Sequence, residues 1–291
     1  MNLNAVLSQE SDQFRQLAHL LCGLSSSNDD SFGFSPILNR AQYPLRGMLN
    51  PALEIGFGLR WAPDGRSLFV NGTDKTKKEG LFRVDTQTGE AKLIVEHHFV
   101  GVPGLEVSPD GRKVFYTVVA GSGITNGESA YDVRHFVLDL QSGQEQELAR
   151  PGNTPLVPLA LSPDGSQLAF IGAGDTAGSS GICVMPSSGG SSKQLIDLGT
   201  TGWASRVIAW SPDSRYLIYA VMLTKPDNTN LGQTSWELWR VSAQGGEPQR
   251  LDLKVDGLLR HIQIHPDGQQ ISYYTWHGDT DVWVMENFLP K

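Results

Sequence analysis

Apolar residues alternate with mixed positions in five short segments of the chain, and each segment ends at a proline that is followed by aspartate. Counted back from the proline, the second and fourth positions are apolar in all five segments, while the third position varies. Alternation with a period of two predicts a β-strand with one more deeply buried face. The five prolines, 46 to 54 residues apart, are Pro63, Pro109, Pro163, Pro212 and Pro266.

A tight turn and a second strand are predicted after each proline. Proline followed by Asp-Gly, or by Asp-Ser in the fourth copy, is the chemistry of a β-turn. The fifth and seventh residues beyond each proline are again apolar, and many of them are β-branched or aromatic, as strands favour. Each unit therefore predicts a β-hairpin.

Two further strands complete most of the units. Third strands are predicted at residues 81–84, 134–138, 182–185, 237–241 and 282–285. Glycine-containing turns follow four of them and lead to fourth strands at residues 91–95, 146–149, 193–196 and 249–253. Four antiparallel strands repeated about every 50 residues predict an all-β fold, a β-propeller of about five four-stranded blades.

The two ends of the chain allow two interpretations of how the ring of blades is completed. The fifth unit has no room for an outer strand, and residues 41–46 stand near the position of an outer strand before Pro63. Either these residues close the last blade, or they are the remnant of a lost one. Residues 11–24 predict a short amphipathic helix and residues 25–31 a linker. We therefore divide the chain into residues 1–40, helix and linker, and residues 41–291, the propeller.

Composition narrows the possible partners. The net charge is −8 without a basic patch, which argues against nucleic-acid binding. No run of 18 apolar residues indicates a membrane span, and two distant cysteines do not indicate a disulfide framework. The first ten residues contain no Lys or Arg and do not look like a signal peptide. If Met1 is the true start, the expected compartment is the cytoplasm.

The repeated block, an apolar strand, Ser-Pro-Asp-Gly, a second strand and a later Gly-Gly turn, resembles the Pro-Asp, WD-repeat-like propeller repeat of the bacterial TolB family. Peptidases related to prolyl oligopeptidase carry similar propellers. Residues 159–195 and 208–251 match best, and the resemblance covers residues 59–285. It implies a TolB-like propeller, which would be periplasmic if this chain is a truncated member. The peptidases add a hydrolase domain that residues 267–291 cannot hold, and no Gly-x-Ser-x-Gly motif occurs. We therefore expect no enzyme activity and no cofactor.

Candidate binding residues come from the strands that line a propeller axis and from the longest connections. The polar members of the first strands are Arg60, Glu106, His261 and Gln263. They are expected either to contact a ligand or peptide in the channel, or to bond to water and to each other. Two long segments, residues 120–133 and 223–236, are predicted to be loops that add Tyr131 and Trp236 as candidates.

Metal and glycan chemistry are weakly indicated. His261 and His265 are four residues apart on a predicted strand, which places them on one face, but no histidines have the spacing of a zinc site, so no metal is expected. Glu106 is the only first-strand carboxylate at the mixed position. The sequence favours a monomeric, non-catalytic scaffold that binds a protein or peptide. The alternatives are the sensor propeller of a larger receptor or kinase-type protein, and a carbohydrate-active or peptidase-associated propeller.

Overall fold

The computed structural model describes residues 53–97, 104–125, 128–152, 158–173, 179–199, 207–223, 234–276 and 280–286. Within these ranges all regular structure is β, and no helix is long and apolar enough to cross a membrane. The strands are β1 Leu53–Trp61, β2 Ser67–Asp74, β3 Glu79–Asp85, β4 Ala91–Glu96, β5 Leu105–Val107, β6 Lys113–Thr125, β7 Glu128–Asp139, β8 Glu145–Gly152, β9 Leu159–Leu161, β10 Gln167–Ala173, β11 Ser180–Pro186, β12 Lys193–Gly199, β13 Ile208–Trp210, β14 Tyr216–Met222, β15 Ser235–Ser242, β16 Gln249–Asp256, β17 Leu258–Ile264, β18 Gln270–Trp276 and β19 Thr280–Glu286.

The strands form five antiparallel sheets, which we number as blades one to five in chain order. Blades one to four have four strands each, and blade five has β17, β18 and β19 among the described residues. The first strands of successive blades contact one another, β1 with β5, β5 with β9, β9 with β13 and β13 with β17. This arrangement places them around one axis and confirms the predicted β-propeller. The predicted helix at 11–24 and the closing strand at 41–46 lie outside the described residues.

Apolar packing between neighbouring blades forms most of the core. Phe115 of blade two lies in one buried cluster with Phe170 of blade three, and similar clusters join blades one and two, three and four, and four and five. A further cluster, which includes Val70 and Phe82, takes all its described members from blade one. Strands in the middle of a blade are therefore buried on both faces. In β2, Leu68 and Phe69 each expose 1% of their surface, although they point to opposite faces.

The Ser-Pro-Asp motif is held together by its own side chains. The serine hydroxyl donates to the aspartate Oδ1 at 2.6 Å in Ser108–Asp110, 2.6 Å in Ser162–Asp164 and 2.5 Å in Ser211–Asp213. The same hydroxyl accepts a hydrogen bond from the backbone five residues on, as from Lys113 N at 2.8 Å. These bonds to the ionised form lower the pKa of the aspartates. The motif therefore closes the turn.

Turns of successive blades touch one another around the axis. Gly165 in the turn of blade three has a φ of +75°, and a Cβ built on it would lie 2.9 Å from Cδ of Pro109 in the preceding turn. In blade four Ser214 occupies the glycine position, and its hydroxyl accepts a hydrogen bond from Asp164 N at 3.1 Å. The repeated motif thus also packs each blade against the next.

Replacing Gly165 with alanine should destabilise the protein more than the same change at Gly143. Both glycines have a left-handed φ, +75° and +71°, which costs a residue with a side chain about 1–2 kcal/mol. Only Gly165 would also push its Cβ into the neighbouring turn, because the Cβ position at Gly143 has nothing within 4 Å. Urea unfolding of the two variants would measure the difference, and equal losses would contradict the contact between turns.

One predicted loop is in fact a hairpin. Residues 120–133 continue β6 and β7 as paired strands, from Val119 opposite Val133, across a register shift, to Thr125 opposite Glu128. The Asn-Gly dipeptide at 126–127 is a strong two-residue hairpin signal that could have revealed the strands.

Candidate functional site

A charged pair joins the first strands of blades one and two beside the axis. Arg60 Nη2 lies 2.9 Å from Glu106 Oε1, and Arg60 Nε donates to Glu106 Oε2 at 3.2 Å. A third bond runs from Arg60 Nη1 to the Leu59 carbonyl at 2.9 Å. The neighbouring carboxylate raises the pKa of Arg60, so the arginine stays charged. Arg60 and Glu106 were expected either to contact a ligand or to bond to water and to each other. The described contacts favour a bond between the two side chains. Since both oxygens of Glu106 accept from Arg60, the geometry gives no support to Glu106 as a glycan-cleaving acid.

The other axial candidates belong to blade five. Gln263 is exposed in β17, and His261 lies in the same strand, opposite Tyr274 and next to a register shift. His265 lies beyond the end of β17, where its Nδ1 is 2.9 Å from Asp267 Oδ1 within the turn. It therefore takes the place of the motif serine, and the expected His261–His265 pair on one strand is wrong. Among the described residues, no three His, Cys, Asp or Glu side chains converge as a metal site.

The two aromatic candidates differ in their surroundings. Trp236 exposes 1% of its surface and donates from Nε1 to the Gly257 carbonyl at 2.9 Å, so it belongs to the core and its assignment to a binding loop is corrected. Tyr131 is half-buried in β7 opposite Ser122, at the base of the hairpin extension, and packs against the cluster between blades two and three.

Sequence reasoning did not single out Trp61. It is 41% exposed, whereas Trp210, at the same repeat position, is 6% exposed and donates from Nε1 to the Ala160 carbonyl at 3.0 Å. The two tryptophans occupy identical positions in the sequence pattern. Trp210 packs on blade three, in the buried cluster that also contains Ala160. The repeat pattern carries no signal that could have distinguished them.

The connections at the two ends of the blades are unequal. Because strands alternate in direction, the Pro-Asp turns and the turns between third and fourth strands share one end. The opposite end, which we call the loop end, holds the connections between second and third strands and between blades. Among the described connections, residues 75–78 join β2 to β3, whereas Gly257 alone joins β16 to β17. Most of the predicted loop at residues 223–236 lies outside the described residues.

The hairpin of blade two is the longest described feature at the loop end. β6 and β7 have 13 and 12 residues, against seven or eight in the second strands of the other blades. About five extra residues lengthen this hairpin by roughly 16 Å at about 3.3 Å per residue. A paired hairpin is more rigid than a loop and gives blade two a distinct surface.

Comparison with known proteins identifies the fold. TolB from Acinetobacter baumannii is 20% identical with a TM-score of 0.57, over 81% of this chain and 53% of that one. The chain has a TolB-like β-propeller fold. It spans about half the length of that TolB. No family model matches the sequence, and no curated protein matches it.

Two further solved structures have the same fold. An oligogalacturonate lyase in complex with manganese is 16% identical with a TM-score of 0.57, over 80% of this chain and 62% of that one. A chain of the nidogen/laminin complex is 15% identical with a TM-score of 0.54, over 81% of this chain and 77% of that one. At these identities the likeness concerns the fold alone.

The prediction that this chain is not an enzyme is overturned by one of these structures. Oligogalacturonate lyase is an enzyme, and a large part of it has the fold seen here. Propellers host unrelated functions, so the comparison with the peptidases does not exclude enzyme activity.

Proposed function

We propose that this protein is a propeller scaffold that binds a protein or peptide partner through its loop end. The observation that carries the proposal is the extended hairpin of β6 and β7, a rigid projection at the loop end. Specificity commonly resides in such segments when a rigid scaffold positions them. The blades supply that scaffold through buried clusters between neighbours. The same surface would serve if the chain is the propeller of a larger receptor.

Two further observations support a macromolecular partner. One structural neighbour is a propeller described in a nidogen/laminin complex, which shows that this fold occurs in protein assemblies. Two cavities among the described residues, one beside Glu145 and the other beside Leu53, are partly open to solvent. A hairpin that projects from the scaffold suits a protein surface better than a small molecule, which prefers a deep pocket.

The hairpin can be tested by shortening it without disturbing its base. Replacing residues 123–130 with Asn-Gly would join the paired residues Ser122 and Tyr131 by a two-residue turn. We expect the shortened protein to melt as the parent does and to lose partner binding by about tenfold or more, as expected for loss of a central contact.

The partner itself can be found by placing a photo-crosslinking amino acid at Ser129, in the hairpin. The matched control is the exposed Ser142, in a turn at the opposite end. We expect one defined adduct from position 129 that is absent from position 142 and disappears when the hairpin is shortened. Equal adducts from both positions, or unchanged binding by the shortened protein, would contradict the proposal.

A further inference from the structure

The hairpin of blade two projects beyond the strands that flank it. On one side, the pairing of β5 with β6 ends at Thr117, whose amide donates to the Gly104 carbonyl at 2.9 Å. On the other side, β8 pairs with β7 no further than Val133. Beyond these points the described residues form a two-stranded ribbon, residues 120–125 and 128–132, which we call the hairpin extension. Each strand of the extension is paired along one edge only among the described residues.

The pairing register fixes which backbone groups point away from the ribbon. In an antiparallel pair, opposite residues alternate between pairs that exchange hydrogen bonds and pairs whose N–H and C=O groups point outward. When two residues join the strands, the residues that flank the turn form a hydrogen-bonded pair, here Thr125 and Glu128. The next pair, Ile124 and Ser129, therefore directs its backbone groups outward, and Ser122 on β6 does the same.

The free edge of β6 lacks the usual protection against pairing. We call residues 120–125 along this edge the inner edge, because it lies on the side of β5, the strand beside the axis. Its sequence, Ala-Gly-Ser-Gly-Ile-Thr, contains no charge and no proline. Exposed strand edges usually carry charges or proline, which discourage other strands from pairing. The outer strands of the blades follow that rule, since β8 contains Arg150 and Pro151, and both β12 and β16 contain lysine and aspartate.

The charges near the inner edge favour one kind of segment. Glu128 lies opposite Thr125 at the far end of the extension, and the chain has a net charge of −8. Asp132, at the base, is paired with Arg134, which compensates its charge. A strand added at the inner edge would lie two strand spacings, or about 10 Å, from β7, a distance over which charges interact at low salt. A segment that carries lysine or arginine therefore complements the extension.

We propose that the inner edge binds an extended, basic segment of a partner protein by adding it as a third strand to the hairpin extension. The inference rests on the proposed function, in which this hairpin contacts a protein, and it specifies how the contact is made. Ser122 and Ile124 each offer one backbone donor and one backbone acceptor to the segment. In strand addition these main-chain hydrogen bonds supply the affinity, so the side chains at the centre of the segment can vary.

Proline substitutions on the two edges test the proposal in the full-length chain. The probe is a fluorescently labelled peptide of alternating threonine and valine with lysine at both ends, and its binding is followed by fluorescence anisotropy. Ile124→Pro removes an outward N–H from the inner edge, and Ser129→Pro removes the one directly opposite, from the edge of β7. We expect Ile124→Pro to weaken binding about tenfold or more and Ser129→Pro to change it less than about twofold. Equal weakening by both prolines, or a larger effect at Ser129, would overturn the proposal.

Hydrogen exchange of the wild-type protein tests the same contact without a substitution, so the test holds even if a proline variant does not fold. With the peptide in excess, the amides of Ser122 and Ile124 should exchange at least about tenfold more slowly, and the amide of Ser129 should be unchanged. The peptide methylated on alternate backbone nitrogens should give no protection, because it cannot pair with a strand edge. Absence of protection by the unmethylated peptide, or equal protection by the methylated one, would contradict strand addition.

The charge of the segment has its own control. The peptide with glutamate in place of lysine should bind more weakly, and the difference should shrink with added salt. Equal binding of the two peptides would contradict the choice of a basic segment. A dimer of the free protein that Ile124→Pro dissociates, measured by sedimentation, would also overturn the proposal, because a second copy would then occupy the inner edge.

Failure of this inference can be told apart from failure of the proposed function. If Ile124→Pro keeps the adduct formed from position 129, the inner edge is not the contact and the inference is wrong, while the hairpin remains a binding element. If the protein with the shortened hairpin keeps its partner, the proposed function itself is wrong, whatever the peptide does.

Discussion

Replacing Trp236 with alanine is expected to lower the free energy of unfolding by about 3–5 kcal/mol, as for other large buried aromatic residues. The indole is almost fully buried in the cluster between blades four and five, where Leu259 and Ile262 are also buried. Its Nε1 donates to Gly257, the single residue that joins β16 to β17. The change would therefore leave a cavity and remove a hydrogen bond at the crossing between two blades. Denaturant unfolding followed by circular dichroism would measure it.

Two variants separate packing from binding at this site. Trp236→Phe keeps a ring in the cluster and removes the hydrogen bond, so we expect it to be milder than alanine, although a carbonyl left unpaired costs about 1–3 kcal/mol. Trp239, half-buried in the same strand, should lose less than Trp236 when replaced by alanine. If Trp236→Ala instead left stability unchanged and abolished partner binding, its assignment to the core would be wrong.

Trp236 shows why the sequence predicted the blades well but not the role of a residue within them. Columns aligned on the prolines located the strands because the turn chemistry is local and repeats in each blade. The middle strands, however, are buried on both faces, as Leu68 and Phe69 are in β2. In such a strand an aromatic residue fits the alternating pattern whether it packs in the core or faces a ligand. Which of the two roles the residue has depends on the side chains of the neighbouring blade.

Contacts between blades were the other feature that the sequence could not provide. Arg60 and Glu106 were recognised as axial residues because they occupy the same repeat position, yet their pairing depends on how closely adjacent first strands approach. His97 and Glu145 share no repeat position, and the stacking of the blades alone brings them together. The periodic pattern specifies each blade, whereas the contacts between two blades depend on residues about 50 positions apart.

Stability should fall as the pH is lowered from 6.5 towards 3, and His135 should cause much of the loss. This histidine of β7 is fully buried between blades two and three, with its ring edge-on to Phe170 at 5.1 Å between centroids. Its Nδ1 shares a hydrogen bond of 3.0 Å with Thr117 Oγ1, and its Nε2 has no hydrogen-bond partner among the described residues. Burial lowers the pKa of His135 to about 3, so the imidazole is neutral in the folded protein.

The direction of the pH effect follows from proton binding. Between the ordinary histidine pKa of about 6.5 and the folded value, the unfolded chain holds a proton on His135 that the folded chain does not, so acid favours unfolding. The contribution is about 1.4 kcal/mol per pH unit, or about 2 kcal/mol between pH 7.5 and 5. Urea unfolding of the wild-type protein across this range would measure it.

The matched variant is His135→Gln, which keeps a polar side chain of similar length and cannot titrate. It should be less stable than the wild type at pH 7.5 but should lose about 2 kcal/mol less on going to pH 5. The turn aspartates, whose pKa values lie below the ordinary 3.8, withdraw their stabilisation only in more acidic solution and do not overlap with this window. Identical pH slopes for the two proteins would show that His135 is accessible to protons in the folded state.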